Sequence, residues 1–197
     1  MALPKRLQFG LAQLGRKPEK DKSIAVLISA DGLPSDGWKV LDQRTWRIGS
    51  VGSSTPWGDR AHEAGGIVAW RSFAQGESRW LWTQVLPYAS PEDADSALQA
   101  LPGPGSFMKN LRSQVQPTVE PRLLLDFEIP NTDGSLAIEQ ETDGPRGPTA
   151  SRIAAGRVGS TVFACAFSGV EPWPWTEVVE IAALQARQIR DELDRLG

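Results

Sequence analysis

The clearest alternation of apolar and polar positions lies between residues 67 and 168, and it predicts three β-hairpins. The first hairpin turns at Gln75-Gly76-Glu77-Ser78 and the second at Asn131-Thr132-Asp133-Gly134. The strand at 79–86 is apolar on both faces, which is typical of a strand in the middle of a sheet with cover on each side. The paired strands are predicted at 67–73 with 79–86, 122–129 with 135–141, and 149–156 with 160–168.

Two helices are predicted, one after the first hairpin and one after the third. Ser90 suits the N-cap, Pro91 suits the first helical position, and Asp93 is the acid of a capping box, so a helix should run to about Leu101. A longer helix is predicted from Thr176, because apolar residues recur there at helical spacing. Its apolar stripe consists of Val178, Ile181, Ala182, Ile189, Leu193 and Leu196.

The first third of the chain has weaker patterns. Residues 1–22 are predicted to form a flexible basic tail, and residues 23–197 a single domain. Ile24, Val26 and Ile28 alternate with other small or apolar residues, which predicts a buried strand. Residues 35–66 are predicted to be loop with short extended pieces at 38–40 and 45–48. The sum is an α+β fold, an antiparallel sheet of about six or seven strands with two helices packed on it.

Composition excludes several classes of function. The net charge is −3, and the basic residues of the tail have no interleaved aromatic platform, so nucleic-acid binding is not expected. Cys165 is the one cysteine of the chain, so no internal disulfide can form. No apolar run is long enough to span a bilayer, and no continuous apolar stretch follows Lys5 and Arg6 as in a secretory signal. A cytoplasmic location is therefore expected.

The residues that usually carry catalysis or bind metals are scarce. The chain has one histidine, His62, whereas a zinc site takes three or four nitrogen or sulfur ligands. Cys165 alternates with Phe163 and Phe167, which predicts a buried core residue rather than a reactive thiol. No metal, no cofactor and no enzymatic activity are predicted. A hydrolase-type enzyme that uses carboxylates or His62 remains an alternative, because a catalytic triad is defined by geometry.

Four acidic residues are placed on one side of the second predicted hairpin: Asp126, Glu128, Glu139 and Glu141. Like charges that face each other across a hairpin repel, so something must compensate them. One interpretation is a hard cation such as Ca²⁺ or a basic partner. The other is a solvated face, with Arg146, Arg152 or Arg157 supplied by the next hairpin.

Tryptophan is unusually frequent, with eight residues in 197. Those in or beside predicted loops are assigned to a ligand- or partner-binding surface, because tryptophan is enriched at binding sites and interfaces. The alternative is that they close the ends of the sheet and pack at the start of the last helix. The assigned residues are Trp38, Trp46, Trp57, Trp173 and Trp175.

The C-terminal third resembles a known group of domains. The stretch from Ser151 to Gly169, which contains Arg157-Val158-Gly159-Ser160-Thr161-Val162, is followed by Trp175 and by the Ala- and Gln-rich run 181–189. This pattern resembles the C-terminal end of actinobacterial sensor-like domains, which are attached to certain mycobacterial serine/threonine kinases or occur as small lipoproteins. The resemblance implies a PsbP/Mog1-like fold, an antiparallel sheet with helices packed on it, and it implies no reaction.

The function predicted from the sequence is a non-enzymatic binding or sensor-like module. It would recognise a small-molecule ligand or a protein partner through its tryptophan-bearing loops. Besides the hydrolase-type alternative, a structural subunit of a larger protein assembly remains open, which an exposed apolar patch would favour.

Overall fold

A computed structural model describes residues 24–47, 67–101, 122–124, 126–144, 147–170 and 172–196. The predicted tail at 1–22, Trp57 and His62 lie outside the described residues. The division into a tail and one domain therefore stays a prediction. No helix among the described residues is both long and apolar enough to cross a membrane.

Seven antiparallel strands form one sheet in the order β1-β2-β3-β7-β6-β5-β4. The strands are β1 Trp38–Arg47, β2 Ile67–Gln75, β3 Arg79–Pro87, β4 Arg122–Leu124, β5 Gly134–Gly144, β6 Gly147–Val158 and β7 Thr161–Gly169. In the described part of the chain, the two α-helices are α1 Pro91–Ala100 and α2 Trp175–Leu196, and a short 3-10 helix covers Ala30–Gly32. The predicted fold class, α+β with a largely hairpin-built sheet and two helices, is confirmed.

The sheet separates two apolar cores because side chains alternate between its faces. Helix α2 covers one face, where it packs with Phe73, Leu81 and Phe167. Helix α1 covers the opposite face, where Ala94, Ala97 and Leu98 meet the even-numbered positions of β7. The strand at 79–86, predicted as central because it is apolar on both faces, is β3, which pairs with β7 in the middle of the sheet.

The predicted helix start at Ser90 is confirmed. The hydroxyl of Ser90 accepts a hydrogen bond from the amide of Asp93 at 3.0 Å, and Pro91 occupies the first turn. An N-cap of this kind satisfies one of the amides that a helix leaves unpaired at its start. The position of α1 on the sheet is thus encoded locally.

Three sequence predictions in the strands were wrong. Residues 24–28, of which 26–28 are buried, are irregular instead of a strand. The pieces predicted at 38–40 and 45–48 belong, as far as residue 47, to one strand, β1, whose register shifts between Val40 and Asp42. The strand predicted at 122–129 pairs with β5 only over Arg122–Leu124. Apolar alternation reports which side chains are buried, but it does not say where the backbone hydrogen bonds go.

Candidate functional site

A row of polar side chains crosses the α2 face of the sheet from its edge inward. Gln43 on β1 is the register partner of Arg71 on β2, and Arg71 is the partner of Thr83 on β3. Thr83 in turn faces Cys165 on β7, and the thiol Sγ lies 3.7 Å from the hydroxyl of Thr83. Arg71 and Thr83 are buried. Polar groups placed there need partners, because a buried unpaired donor or acceptor is costly.

Helix α2 and the segment 24–28 supply those partners. The Gln185 side chain accepts hydrogen bonds at Oε1 from the hydroxyl of Thr83, at 2.8 Å, and from the amide of Ile28, at 3.3 Å. Its Nε2 donates to the carbonyl of Val26 at 2.8 Å. One turn further along, Gln188 donates to the carbonyl of Ala25 at 2.7 Å. The side chains of Gln185 and Gln188 form hydrogen bonds that a neighbouring strand would otherwise provide. The segment can therefore be buried without regular secondary structure.

Arg71 is the most unusual member of the row. Its side chain is only 8% exposed, and burial lowers its pKa below the usual 12.5. Nε donates to Oε1 of Gln43 at 3.2 Å, and Nη1 donates to the carbonyls of Leu27 and Ile28 at 3.3 and 2.5 Å. Within the described ranges, no carboxylate pairs with Arg71 and Nη2 donates no hydrogen bond. A buried cation without a counter-ion is a source of unfavourable free energy that a bound anion would relieve.

A pocket of about 450 Å³ lies against this guanidinium. We call it the Arg71 pocket, and its lining consists of Ile24, Ala25, Leu27, Ser29, Gln43, Arg71 and Gln188. Three of these side chains are apolar and four carry polar groups. A concave apolar wall with a few convergent polar groups is the usual composition of a small-molecule site.

The structure brings three of the five selected tryptophans to one end of the sheet. Trp38 and Trp173 stack with ring centroids 5.5 Å apart, and Trp173 meets Phe167 edge-on at 5.0 Å. Trp175 is half-buried and packs against Phe127 at 5.0 Å. The side chain of Trp46 and all of Trp57 lie outside the described residues.

Two arginines cover the remaining faces of these rings. The guanidinium of Arg79 lies 3.6 Å from the centroid of Trp173 and pairs with Glu177 at 2.6 Å. The guanidinium of Arg152 lies 4.5 Å from the centroid of Trp175. Contacts between cations and aromatic faces stabilise this arrangement. Trp38 and Trp173 are buried by their neighbours, and a ligand-binding role of the tryptophans stays a prediction.

The four acidic residues predicted to share one face lie as two pairs, Glu139 and Glu141 on β5 and Asp126 and Glu128 beyond β4. Glu139 on β5 pairs with Arg152 at 2.9 Å and with Arg122 at 3.1 Å, so the next hairpin supplies one compensating cation, as one interpretation expected. Asp126 and Glu128 are exposed and lie beyond β4, where they help line a second pocket of about 720 Å³ beside α2. Among the described residues, no group of three or more His, Cys, Asp or Glu side chains is placed to hold a metal ion.

Cys165 lies in an environment that suppresses nucleophilic chemistry. The thiol is fully buried, and this burial raises its pKa from 9.0 to about 12. Tyr88 is also fully buried, and burial raises its pKa above the usual 10.0. The thiolate is the nucleophilic form of cysteine, and at neutral pH it is essentially absent here.

These two groups predict that the protein loses stability in alkali. Because folding raises both pKa values, the folded chain holds these protons where the unfolded chain has released them. The free energy of unfolding should therefore fall as pH rises above about 9, by up to about 1.4 kcal/mol per pH unit for each group. Urea unfolding of wild type and Cys165→Ala at pH 8, 9.5 and 11 checks this. The difference between the two proteins should become less favourable to wild type as pH rises, and a constant difference would contradict the assignment.

Comparison with known proteins supports the fold. The sequence matches no family model and no curated protein. Among solved structures, the extracellular domain of PknH from Mycobacterium tuberculosis matches with a TM-score of 0.52 and 10% identity, over 87% of this chain and 94% of that domain. A putative uncharacterized protein of Mycobacterium smegmatis, the Rv0999 ortholog, matches with a TM-score of 0.42 and 11% identity, over 79% and 90% of the two chains. The first match shows a shared fold; the second has too low a TM-score to do so.

The comparison corrects one prediction and leaves another open. The cytoplasmic location expected from the sequence is contradicted, because the solved structure with the same fold is an extracellular domain. That expectation rested partly on the lone cysteine, but a core that needs no disulfide is compatible with either compartment. The likeness to a mycobacterial extracellular domain agrees with the resemblance to actinobacterial sensor-like domains. The finer assignment to a PsbP/Mog1-like fold is not confirmed.

The residues of the Arg71 pocket were not predicted from the sequence. Two signals pointed to the row of buried polar groups beside it. Arg71 interrupts the buried face of β2 between Ala69 and Phe73, and Gln185 lies within the apolar stripe of α2. A polar residue in the middle of an apolar face is more informative than an exposed one, because it must be satisfied by a specific partner.

Proposed function

We propose that this chain is a non-enzymatic, sensor-type binding module that holds a small ligand in the Arg71 pocket. The observation that carries the proposal is the buried guanidinium of Arg71, which lines a pocket and has no carboxylate partner among the described residues. Proteins rarely bury a charge without pairing it, and such departures cluster at functional sites. The pocket is lined by apolar and by polar side chains, which favours a ligand that has both an apolar part and a polar group.

An enzymatic role has less support. Cys165, a possible nucleophile, is buried, and the raised pKa of its thiol keeps it protonated at neutral pH. The acidic side chains that a carboxylate mechanism would use lie as two pairs on different segments, and Glu139 is engaged by two arginines. A paired acid and base need to face one another across a substrate, and Glu139 is instead held in ion pairs.

A location outside the cytoplasm is also part of the proposal. The domain that shares the fold is extracellular and belongs to PknH. We infer for this chain a similar position outside the cytoplasm, where a binding module can report on molecules that the cell encounters. A buried core with no need of disulfides is compatible with that setting.

Native mass spectrometry of the full-length protein tests the proposal. The wild-type protein, as purified or after incubation with a cell extract, should carry an extra mass that dissociates on denaturation. Ala25→Leu enlarges a half-buried side chain that lines the Arg71 pocket, so this variant should lose the extra mass. The exposed residue Ala100 provides a control, because Ala100→Leu adds the same volume far from the pocket lining. Spectra that contain only the polypeptide mass before and after incubation would contradict the proposal.

A further inference from the structure

Among the described residues that line the Arg71 pocket, Arg71 is the only charged side chain. Resting on the binding role proposed above, we propose that this pocket binds a small organic acid by its carboxylate, with the apolar part of the ligand against Ile24, Ala25 and Leu27. The inference names the chemical class of the ligand, which the binding role alone leaves open.

The donors of Arg71 favour a carboxylate. Within the described residues Nε and Nη1 have hydrogen-bond partners, whereas Nη2 donates to none of them. The Nε partner is the amide oxygen of Gln43, an exposed side chain that can move aside. A planar carboxylate can then accept two parallel hydrogen bonds from Nε and Nη2, the geometry in which arginine binds carboxylates most strongly.

The charge of the lining favours a monoanion. Gln43, Gln188 and Ser29 are neutral, so the described part of the lining provides one positive charge. A carboxylate neutralises that charge, whereas a phosphate dianion would bring a second negative charge into a site that cannot match it. The amides and the hydroxyl can still donate hydrogen bonds to further polar atoms of the ligand.

The size and walls of the pocket favour a short acid with an apolar body. A volume of about 450 Å³ is within the range of about 300–1,000 Å³ that is usual for small-ligand sites. Ile24 and Ala25 are half-buried, so a ligand that covers them gains hydrophobic free energy.

The segment 24–28 is expected to remain in place as a wall when the ligand binds. Val26, Leu27 and Ile28 are 0%, 3% and 5% exposed, and the hydrophobic free energy of their burial holds the segment against the sheet and α2. An anion that uses the Nε and Nη2 side leaves the bonds from Nη1 to the two carbonyls intact. The pocket can therefore be occupied without unfolding its wall.

Isothermal titration of the full chain with benzoate, hexanoate, benzamide, hexanamide and inorganic phosphate tests the inference. Each acid should bind at least about tenfold more tightly than its amide, because the amide has the same shape without the charge. Phosphate should bind more weakly than either acid. Equal affinities for an acid and its amide, or tighter binding of phosphate, would overturn the inference.

Gln43→Glu provides the decisive variant. It places a carboxylate 3.2 Å from Nε of Arg71, where the amide oxygen now lies, so the protein neutralises its own cation. The variant should fold with an unchanged or higher melting temperature and should lose at least about tenfold in affinity for the acids. Gln99→Glu makes the same change of charge at an exposed position of α1 and should bind them as wild type does. Unchanged binding of the acids by Gln43→Glu would also overturn the inference.

The same titrations separate failure of this inference from failure of the proposed function. If the amides bind and the acids bind no better, the pocket is a ligand site but its ligand is not an anion. If none of the five probes binds and native mass spectrometry also finds no ligand, the binding role itself fails. Loss of acid binding in Gln43→Glu but not in Gln99→Glu supports both.

Discussion

Replacing Trp173 by alanine should lower the free energy of unfolding by about 3–5 kcal/mol. The ring is 1% exposed and lies between Trp38, Phe167 and the guanidinium of Arg79. Its Nε1 donates to the carbonyl of Ser168 at 3.1 Å, so the truncation removes a hydrogen bond as well as packing. Urea denaturation followed by circular dichroism measures the loss.

Two further variants separate the effect of burying the ring from the effect of its hydrogen bond. Trp80→Ala removes the same side chain from a half-buried position on β3, and it should cost less than half as much. Trp173→Phe keeps most of the apolar volume, so its cost isolates the contribution of the Nε1 hydrogen bond, about 1–2 kcal/mol. If Trp173→Ala costs no more than Trp80→Ala, the tryptophan cluster does not belong to the cooperative core.

Gln185→Leu should lower the free energy of unfolding by about 3–5 kcal/mol although it makes the helix stripe uniformly apolar. The substitution leaves the amide of Ile28 and the carbonyl of Val26 buried without their side-chain partner, and it also removes the acceptor of the Thr83 hydroxyl. Each buried group left unsatisfied costs about 1–3 kcal/mol. Urea denaturation again measures the stability, and hydrogen exchange at the amide of Ile28 should accelerate.

Gln188→Leu is the matched control for this prediction. Gln188 lies on the same helix and donates one hydrogen bond to the segment, but it is half-buried, so water can replace that bond. Its loss should cost about 1 kcal/mol or less. A double-mutant cycle of Gln185→Leu with Thr83→Val should show a coupling of about 1–2 kcal/mol. Equal costs for the two glutamine substitutions would contradict the assigned network.

Local rules made the sheet and the helices predictable. The turn at Gln75–Ser78 joins two alternating runs, and the cap at Ser90 precedes an amphipathic run, so each element is specified by neighbouring residues. The same rules failed at residues 24–28. Ile24, Val26 and Ile28 have the pattern of a buried strand, but the hydrogen-bond partners of that segment come from α2 and β2.

The candidate site was less predictable than the fold. Sequence analysis selected tryptophans in loops, and three of them do gather at one end of the sheet. It did not select Arg71 or Gln185, which lie on faces that the apolar pattern had already assigned to the core. A search for single polar residues within apolar stripes would have found both.

The sequence by itself determined the class of fold, the first and third hairpins, the cap of α1 and the burial of Cys165, because these depend on periodicity and on contacts between near neighbours in the chain. Only the tertiary structure decided that Gln185 bonds to Val26, 159 positions away, and that Arg71 is buried beside a pocket without a carboxylate partner among the described residues. Hydrophobic burial is set by composition and pattern and is non-directional, whereas a hydrogen bond or a charge pair needs one particular partner at one distance. That partner is chosen when distant segments meet, so the chemistry of this site emerges only with the packed fold.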